Sequence, residues 1–233
     1  MRSLLTFALL ITFSTLTKAQ DTAVYNRQAF ESFADTRGTE VPSFHYKEAT
    51  KGSQYLFSDW KRGKAINAEG KLVDEPGLSF NYDKMHHGLY MTKDKKTSYI
   101  IDLHNVKEIM IDDNGNQLEF VHLPQVNEES LLLVLIKNPT KYSLYKSLTT
   151  KFIKSNYVTT GLTETGHNYD EYLDEPIYYL YTLKGTFEKI PSWKKGLKGY
   201  FDGNKTAEAF LKDHRNDDID DNFMKDLVET LNK

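Results

Sequence analysis

The chain has 233 residues, with 30 Lys plus Arg against 33 Asp plus Glu, 7 His and no Cys. The lack of Cys excludes disulfides, thiol nucleophiles and cysteine metal ligands, so burial alone must hold the fold together. The formal net charge of −3, with both signs interspersed, is a poor match for generic nucleic-acid binding, because that needs a net basic face.

The first 19 residues are typical of a cleavable signal peptide. Arg2 gives a short positive start, residues 4–16 are apolar apart from Thr and Ser, and small residues stand at Thr17 and Ala19. This arrangement favours cleavage after Ala19. An uncleaved anchor is the alternative, but the run falls short of the roughly 20 residues that span a bilayer. We therefore expect an exported chain, soluble in the periplasm or outside the cell after cleavage.

The next signals favour strands. The chain holds 15 Tyr and 13 Phe, and aromatic side chains suit half-buried pleated surfaces. Leu78, Phe80 and Tyr82 alternate with polar residues, which predicts a strand with one apolar face. Asn114 and Gly115 predict a type I′ hairpin turn. Residues 131–136 are continuously apolar, which favours a central strand covered on both faces over a short buried helix.

The last third of the chain changes character. Residues 155–176 are the least regular stretch, and we interpret them as a long loop or linker. Residues 177–183 and 186–190 then predict a hairpin that turns at Lys184 and Gly185. From Pro191 onward the pattern is helical: a short helix over residues 193–201, a second helix capped by Asn204, and a third whose apolar stripe runs from Phe223 to Leu231.

These elements predict an α+β fold that is predominantly antiparallel β, as a sheet or a partly closed barrel or sandwich. A short helical C-terminal segment packs on it. We divide the chain into a signal peptide (1–19), an N-terminal segment that is helical or loosely ordered (20–49), a β-rich body (50–190) and the helical segment (191–233). One continuous globular unit is favoured over two domains. No apolar run after the signal reaches membrane-spanning length.

Several segments together resemble a known family. They are residues 52–60 (GSQYLFSDW), 78–83 (LSFNYD), 178–180 (YYL) and 193–195 (WKK), followed by the closing helices. The chain is similar in these segments to exported proteins common in Bacteroidetes-type bacteria, and it departs from the usual Gly-Thr-Val-like hairpin at residues 67–72. The resemblance implies an envelope location in a Gram-negative cell. It implies no activity, because none is attributed to that family.

Metal binding is not predicted. His86 and His87 are adjacent, and neighbours on a strand point to opposite faces, so we interpret them as surface or edge-strand residues. The other histidines lack ligand-like spacing, and no H-E-x-x-H arrangement occurs. The acidic residues 217–222 lack the Gly of a calcium-binding EF-hand loop. They are predicted to cap the following helix instead.

No catalytic residue is predicted either, since no Gly-x-Ser-x-Gly motif occurs. Two sets of residues are candidates for binding. Tyr55 and Trp60 could stack on a glycan or peptide, with core packing as the alternative reading. Trp193, Lys194 and Lys195 place basic groups beside an aromatic ring, which can bind anions or sugars. Lysine stems that cover apolar surface are the alternative there.

The leading hypothesis is therefore a non-catalytic envelope or secreted protein that binds an unknown protein or glycan partner, without a cofactor and without nucleic acid. Two alternatives remain open. An exported hydrolase could use a pair of Asp or Glu side chains, because acids are plentiful and their pairing is spatial. A structural subunit of an envelope assembly is the other.

Overall fold

The structure is a computed structural model that describes residues 50–159 and 163–233. The predicted signal peptide and N-terminal segment lie outside the described residues. The strands are, in chain order, β1 (Thr50–Lys51), β2 (Lys61–Asn67), β3 (Leu72–Val73), β4 (Ser79–Asp83), β5 (Gly88–Thr92), β6 (Ser98–Ile101), β7 (Val106–Asp113), β8 (Asn116–His122), β9 (Leu131–Ile136), β10 (Ser143–Ser147), β11 (Thr150–Ile153), β12 (Val158–Thr159), β13 (Glu164–Thr165), β14 (Asp170–Asp174), β15 (Ile177–Tyr181) and β16 (Phe187–Ile190).

Eleven of these strands form one antiparallel sheet in the order β16-β15-β10-β9-β8-β7-β2-β4-β5-β6, with β3 also beside β2. The end strands β6 and β16 do not pair, so the described residues form no closed barrel. The turn between β7 and β8 has φ values of 56° at Asn114 and 92° at Gly115, as a type I′ turn requires. The predicted α+β class, dominated by an antiparallel sheet, is confirmed.

Strand β2 joins the two halves of this sheet. One edge pairs with β7, and the other pairs with β3 at Ala65 and with β4 at Arg62. Just before β2 the chain is irregular, and Asn81 from β4 fills the gap. Its side chain accepts the Phe57 N–H at 3.2 Å and donates to the Phe57 carbonyl at 2.9 Å. Residues 52–60 and 78–83 therefore contact each other directly.

A three-stranded sheet, with β1 parallel and β11 antiparallel to β14, flanks the β4–β5 turn. The Lys84 ammonium donates to Asp174 of β14 at 2.6 Å and links the two sheets. The prediction that residues 155–176 form only a loop or linker is therefore wrong, since they contain β12, β13 and β14. The acids in Asp170–Asp174 hide the strand pattern, and pairing on both edges of β14 stabilises it instead.

Three helices close the chain, namely α1 (Lys194–Tyr200), α2 (Lys205–Asp213) and α3 (Asp221–Leu231). The caps are as predicted. The Asn204 side chain accepts the Ala207 N–H at 3.1 Å, and the Asp220 carboxylate accepts the Phe223 N–H at 2.8 Å. None of the helices in the described part of the chain combines the length and apolar character needed to cross a bilayer.

Two apolar clusters form the core. The first lies within the curled sheet and includes Phe80, Ile109 and Leu131. The second lies between the helices and the β10–β15–β16 end of the sheet, with Leu227 at its centre. Strand β9 serves both, because Leu131 belongs to the first cluster and the side chains at its far end pack on the second. The sheet is thus continuous across both cores.

The third helix is fastened to the sheet by polar contacts as well. The Tyr178 hydroxyl donates to one Asp221 oxygen at 2.7 Å, and the Lys146 ammonium donates to the other at 2.8 Å. Burial and the nearby carboxylate of Asp221 both raise the pKa of Tyr178, so this hydroxyl remains a hydrogen-bond donor at neutral pH. The contact fixes the first turn of α3 against β10 and β15.

Candidate ligand-binding cleft

The connection from β6 to β7 joins two sets of antiparallel neighbours, β4–β5–β6 and β7–β8–β9, and it brings three chain connections together. They are the β4–β5 turn (residues 84–87), the turn after β6 (Leu103–Asn105, a 3₁₀ helix) and the β8–β9 loop (residues 123–130). Between them lies an open cleft of about 540 Å³. Its polar lining consists of three imidazoles and three carboxylates, from His86, His87, His104, Asp102, Glu128 and Glu129.

Asp83 builds the first of these connections. It ends β4 with 1% of its surface exposed. Its carboxylate accepts the backbone N–H groups of Met85 at 2.9 Å and His86 at 3.0 Å, and it bonds His86 Nδ1 at 2.9 Å. An Asp that binds backbone donors two and three residues on folds the chain into a turn. The turn is completed by His87, whose φ is 56°.

His86 and His87 are therefore not edge-strand residues, whereas their alternative interpretation as surface residues agrees with the 63% exposure of the His86 side chain. Both lie in the turn, and both line the cleft. The alternating strand pattern of residues 78–82 ends at Asp83. The buried Asp83 carboxylate accepts the backbone N–H groups of Met85 and His86, which in a continuing strand would bond to a neighbouring strand. His104, which is distant in sequence, lines the same cleft.

The 3₁₀ turn carries a hydrogen-bonded chain of three side chains. Asp102 accepts the His104 backbone N–H at 3.0 Å and bonds His104 Nδ1 at 2.9 Å, while His104 Nε2 lies 3.5 Å from Glu128 Oε1. Hydrogen bonds to Asp102 and then to Glu128 raise the pKa of His104. The same backbone and imidazole donors lower the pKa of Asp102. The pair favours an imidazolium beside a carboxylate.

His87 behaves in the opposite way. Its Nδ1 lies 3.3 Å from the Tyr82 hydroxyl. Burial lowers the pKa of His87, and the charges of Glu129 and Asp83 only partly oppose this effect. The pKa values of two histidines in one cleft are thus shifted in opposite directions.

This difference predicts a specific titration pattern. By two-dimensional NMR, the midpoint of His104 should lie above the ordinary value of about 6.5 and that of His87 below it. Asp102→Asn should lower the midpoint of His104 and leave that of His87 unchanged. Because the folded-state pKa of His87 is depressed, its contribution to stability is present above pH 6.5 and is lost as the pH falls below that value. Equal midpoints for the two residues would contradict this geometry.

The cleft is acidic at neutral pH, since its lining has three carboxylates and no Lys or Arg. Within residues 50–159 and 163–233, no group of three His, Asp or Glu side chains is placed to hold a metal ion. The lowered pKa of Asp102 is the reverse of what a carboxylic general acid needs. The lining suits recognition of a positively charged group.

The structure places the predicted binding residues elsewhere. Tyr55 is half-buried and packs edge-to-face on Tyr90, with ring centroids 6.5 Å apart, and Trp60 is also half-buried, just before β2. Trp193 is exposed at the start of α1, next to exposed Lys195. The Lys194 ammonium donates to the His214 carbonyl at 2.6 Å and lies 3.7 Å from the centre of the Phe223 ring.

The two predicted sets therefore occupy different parts of the fold, the first beside β4 and the second beyond β16. None of their residues lines the cleft. Sequence reasoning missed the cleft because its residues come from three separate connections with no shared motif. The sequence does show histidines and acids together at 86–87, 102–104 and 128–129, but only the connection from β6 to β7 brings these three segments to one cleft.

Comparison of the chain with models of protein families, with curated proteins and with solved structures finds no match. The fold and the cleft therefore supply the structural basis for a functional proposal.

Proposed function

We propose that this chain is an exported, non-catalytic binding protein whose cleft takes a cationic group, such as a primary amine or a guanidinium. One observation carries the proposal: three carboxylates and no basic Lys or Arg side chain line the cleft. The signal-like first 19 residues and the resemblance to exported envelope proteins support the periplasm or the cell exterior as its location.

The exposure of the carboxylates limits the expected affinity. The side chains of Asp102 and Glu128 are 49% and 71% exposed, and an exposed ion pair contributes about 1 kcal/mol or less. A single amine should therefore bind near the millimolar range, where the binding free energy is about −4 kcal/mol. A ligand with several positive groups engages more than one carboxylate and binds more tightly.

The histidines make this binding depend on pH. Protonation of His104, whose pKa is raised, adds positive charge beside Asp102 and Glu128 as the pH falls and repels a cation, whereas the lowered pKa of His87 delays its protonation. Calorimetric titration of the mature chain (residues 20–233) with spermidine should therefore give binding at pH 7.5 that is about tenfold weaker at pH 5.5. Equal affinity at the two pH values would count against a cleft that combines imidazoles with carboxylates.

The matched variants are Glu128→Gln with Glu129→Gln, compared with Glu229→Gln on the exposed face of α3. The double variant removes two of the three carboxylates that line the cleft and should weaken spermidine binding at least about fivefold. The control removes one charge away from the cleft and should change it less than about twofold. If all three chains bind spermidine alike, attraction by overall charge explains the result and the proposed site is wrong.

Export is tested separately. The full chain, expressed with a C-terminal tag in a Gram-negative host, should appear in the periplasmic or extracellular fraction, and its intact mass should begin at Gln20. This result follows if the signal is cleaved after Ala19. A tagged protein that stays in the cytoplasm with its first 19 residues intact would overturn the proposed location while leaving the cleft open to test.

A further inference from the structure

Trp193 is the second most exposed large apolar side chain in the described part of the chain, at 60%. Its indole is nevertheless held in place. A Cβ built on Gly196 would stand 2.5 Å from Trp193 Cε2 and 2.6 Å from Nε1, and also 2.5 Å from Pro191 Cβ. The ring therefore lies across the bare backbone of Gly196 and beside Pro191. A fixed ring that remains open to solvent is a preorganised stacking surface.

We propose that this surface, formed by Pro191, Trp193 and Gly196, binds a ring of an acidic carbohydrate. The face of a sugar ring carries C–H groups that pack on an indole, and the indole offers a large apolar area with one N–H donor. Within residues 50–159 and 163–233, the Trp193 N–H has no hydrogen-bond partner and is free to donate to a sugar hydroxyl.

The charge around the indole selects an acidic sugar. Lys195 precedes Gly196 on α1, Lys198 follows Lys195 by about one helical turn on the same face, and both are exposed. Neither forms an ion pair with a described residue. Lys194 differs, because its ammonium is engaged by the His214 carbonyl. Two exposed ammonium groups on the helix that follows Trp193 are complementary to the carboxylates of a polyuronate.

A lipid surface is the other ligand that combines apolar and anionic character. Helices that lie in a membrane interface present a broad apolar face. The seven residues of α1 instead turn their buried leucine, Leu197, into the protein core. Trp193 is therefore the single exposed large apolar side chain at α1. One such side chain favours a carbohydrate ligand over a lipid surface.

The experiment uses calorimetric titration of the mature chain with polygalacturonate, with uncharged dextran and with phosphatidylglycerol vesicles, at low salt. Wild type should bind polygalacturonate, and Trp193→Ala should weaken that binding at least about tenfold. Gly196→Ala should weaken it similarly, because the new methyl group displaces the indole. Gly199→Ala on the same helix is the matched control, since its Cβ would meet nothing within 4 Å, and it should leave binding unchanged.

Fluorescence adds a local readout, because the chain has only two Trp residues. In the Trp60→Phe background, polygalacturonate should change the emission of Trp193, and Lys195→Gln with Lys198→Gln should weaken the response about fivefold. Several results would overturn the proposal: no binding of polygalacturonate, unchanged binding by Trp193→Ala, equal binding of dextran, or binding of vesicles alone. This surface and the histidine cleft share no residue, so failure at one is separate from failure at the other.

Discussion

Asp83→Ala should lower the free energy of unfolding by about 3 kcal/mol and abolish the cleft as a binding site. The carboxylate is buried, and it accepts the backbone N–H groups of Met85 and His86 together with His86 Nδ1 and Gln54 Nε2. Removing it leaves four partly buried donors without this acceptor, and the loss of such a partner costs about 1 kcal/mol per donor. Urea unfolding measures the stability, and spermidine titration measures the cleft.

Asp83→Asn is the matched control, because an amide keeps one oxygen acceptor for the two backbone donors. It should lose about half of the stability that the Ala variant loses, or less. An Ala variant as stable as wild type would mean that water replaces the carboxylate in the turn. That outcome would contradict the role of Asp83 as the residue that shapes the β4–β5 connection.

Leu227→Ala should lower the free energy of unfolding by about 2–5 kcal/mol, as expected when a fully buried leucine is truncated. Leu227 has no exposed surface and lies in the cluster between the helices and the sheet. Because β9 packs on both clusters, the variant should shift one cooperative transition for the whole chain rather than release the helical segment alone.

The two Trp residues supply separate probes, one in the sheet part of the fold and one in the helical part. Trp193→Phe leaves Trp60, before β2, as the probe, and Trp60→Phe leaves Trp193, at the start of α1. In the Leu227→Ala background both probes should lose signal at the same urea concentration. An earlier transition seen only by Trp193 would show that the helical segment unfolds as a separate unit.

Local patterns predicted much of the fold. Residues 113–116 encode their hairpin, because Asn and Gly adopt the positive φ angles that a type I′ turn requires. The apolar spacing of residues 223–231 likewise predicted α3, and Asn204 and Asp220 cap helices as their side-chain chemistry suggests. Each of these features depends on residues close together in sequence.

Features that depend on distant partners were not predicted. The strand Asp170–Asp174 has little apolar pattern and exists because β1 and β11 pair with its two edges. The cleft depends on how the β4–β5 turn, the turn after β6 and the β8–β9 loop come together in space. It also depends on the β4–β5 turn, which begins directly after β4 ends at Asp83. A buried carboxylate that ends a strand, such as Asp83, looks in sequence like any other strand-end acid.

The most direct test of the proposed cation-binding cleft is chemical-shift mapping. Mature chain labelled with ¹⁵N would be titrated with spermidine at pH 7.5, and the shifted amides assigned. The largest shifts should fall in residues 84–88, 100–104 and 127–130, and they should disappear in the Glu128→Gln, Glu129→Gln variant. Shifts spread over the acidic surface, or centred on another segment, would contradict a binding site in the cleft.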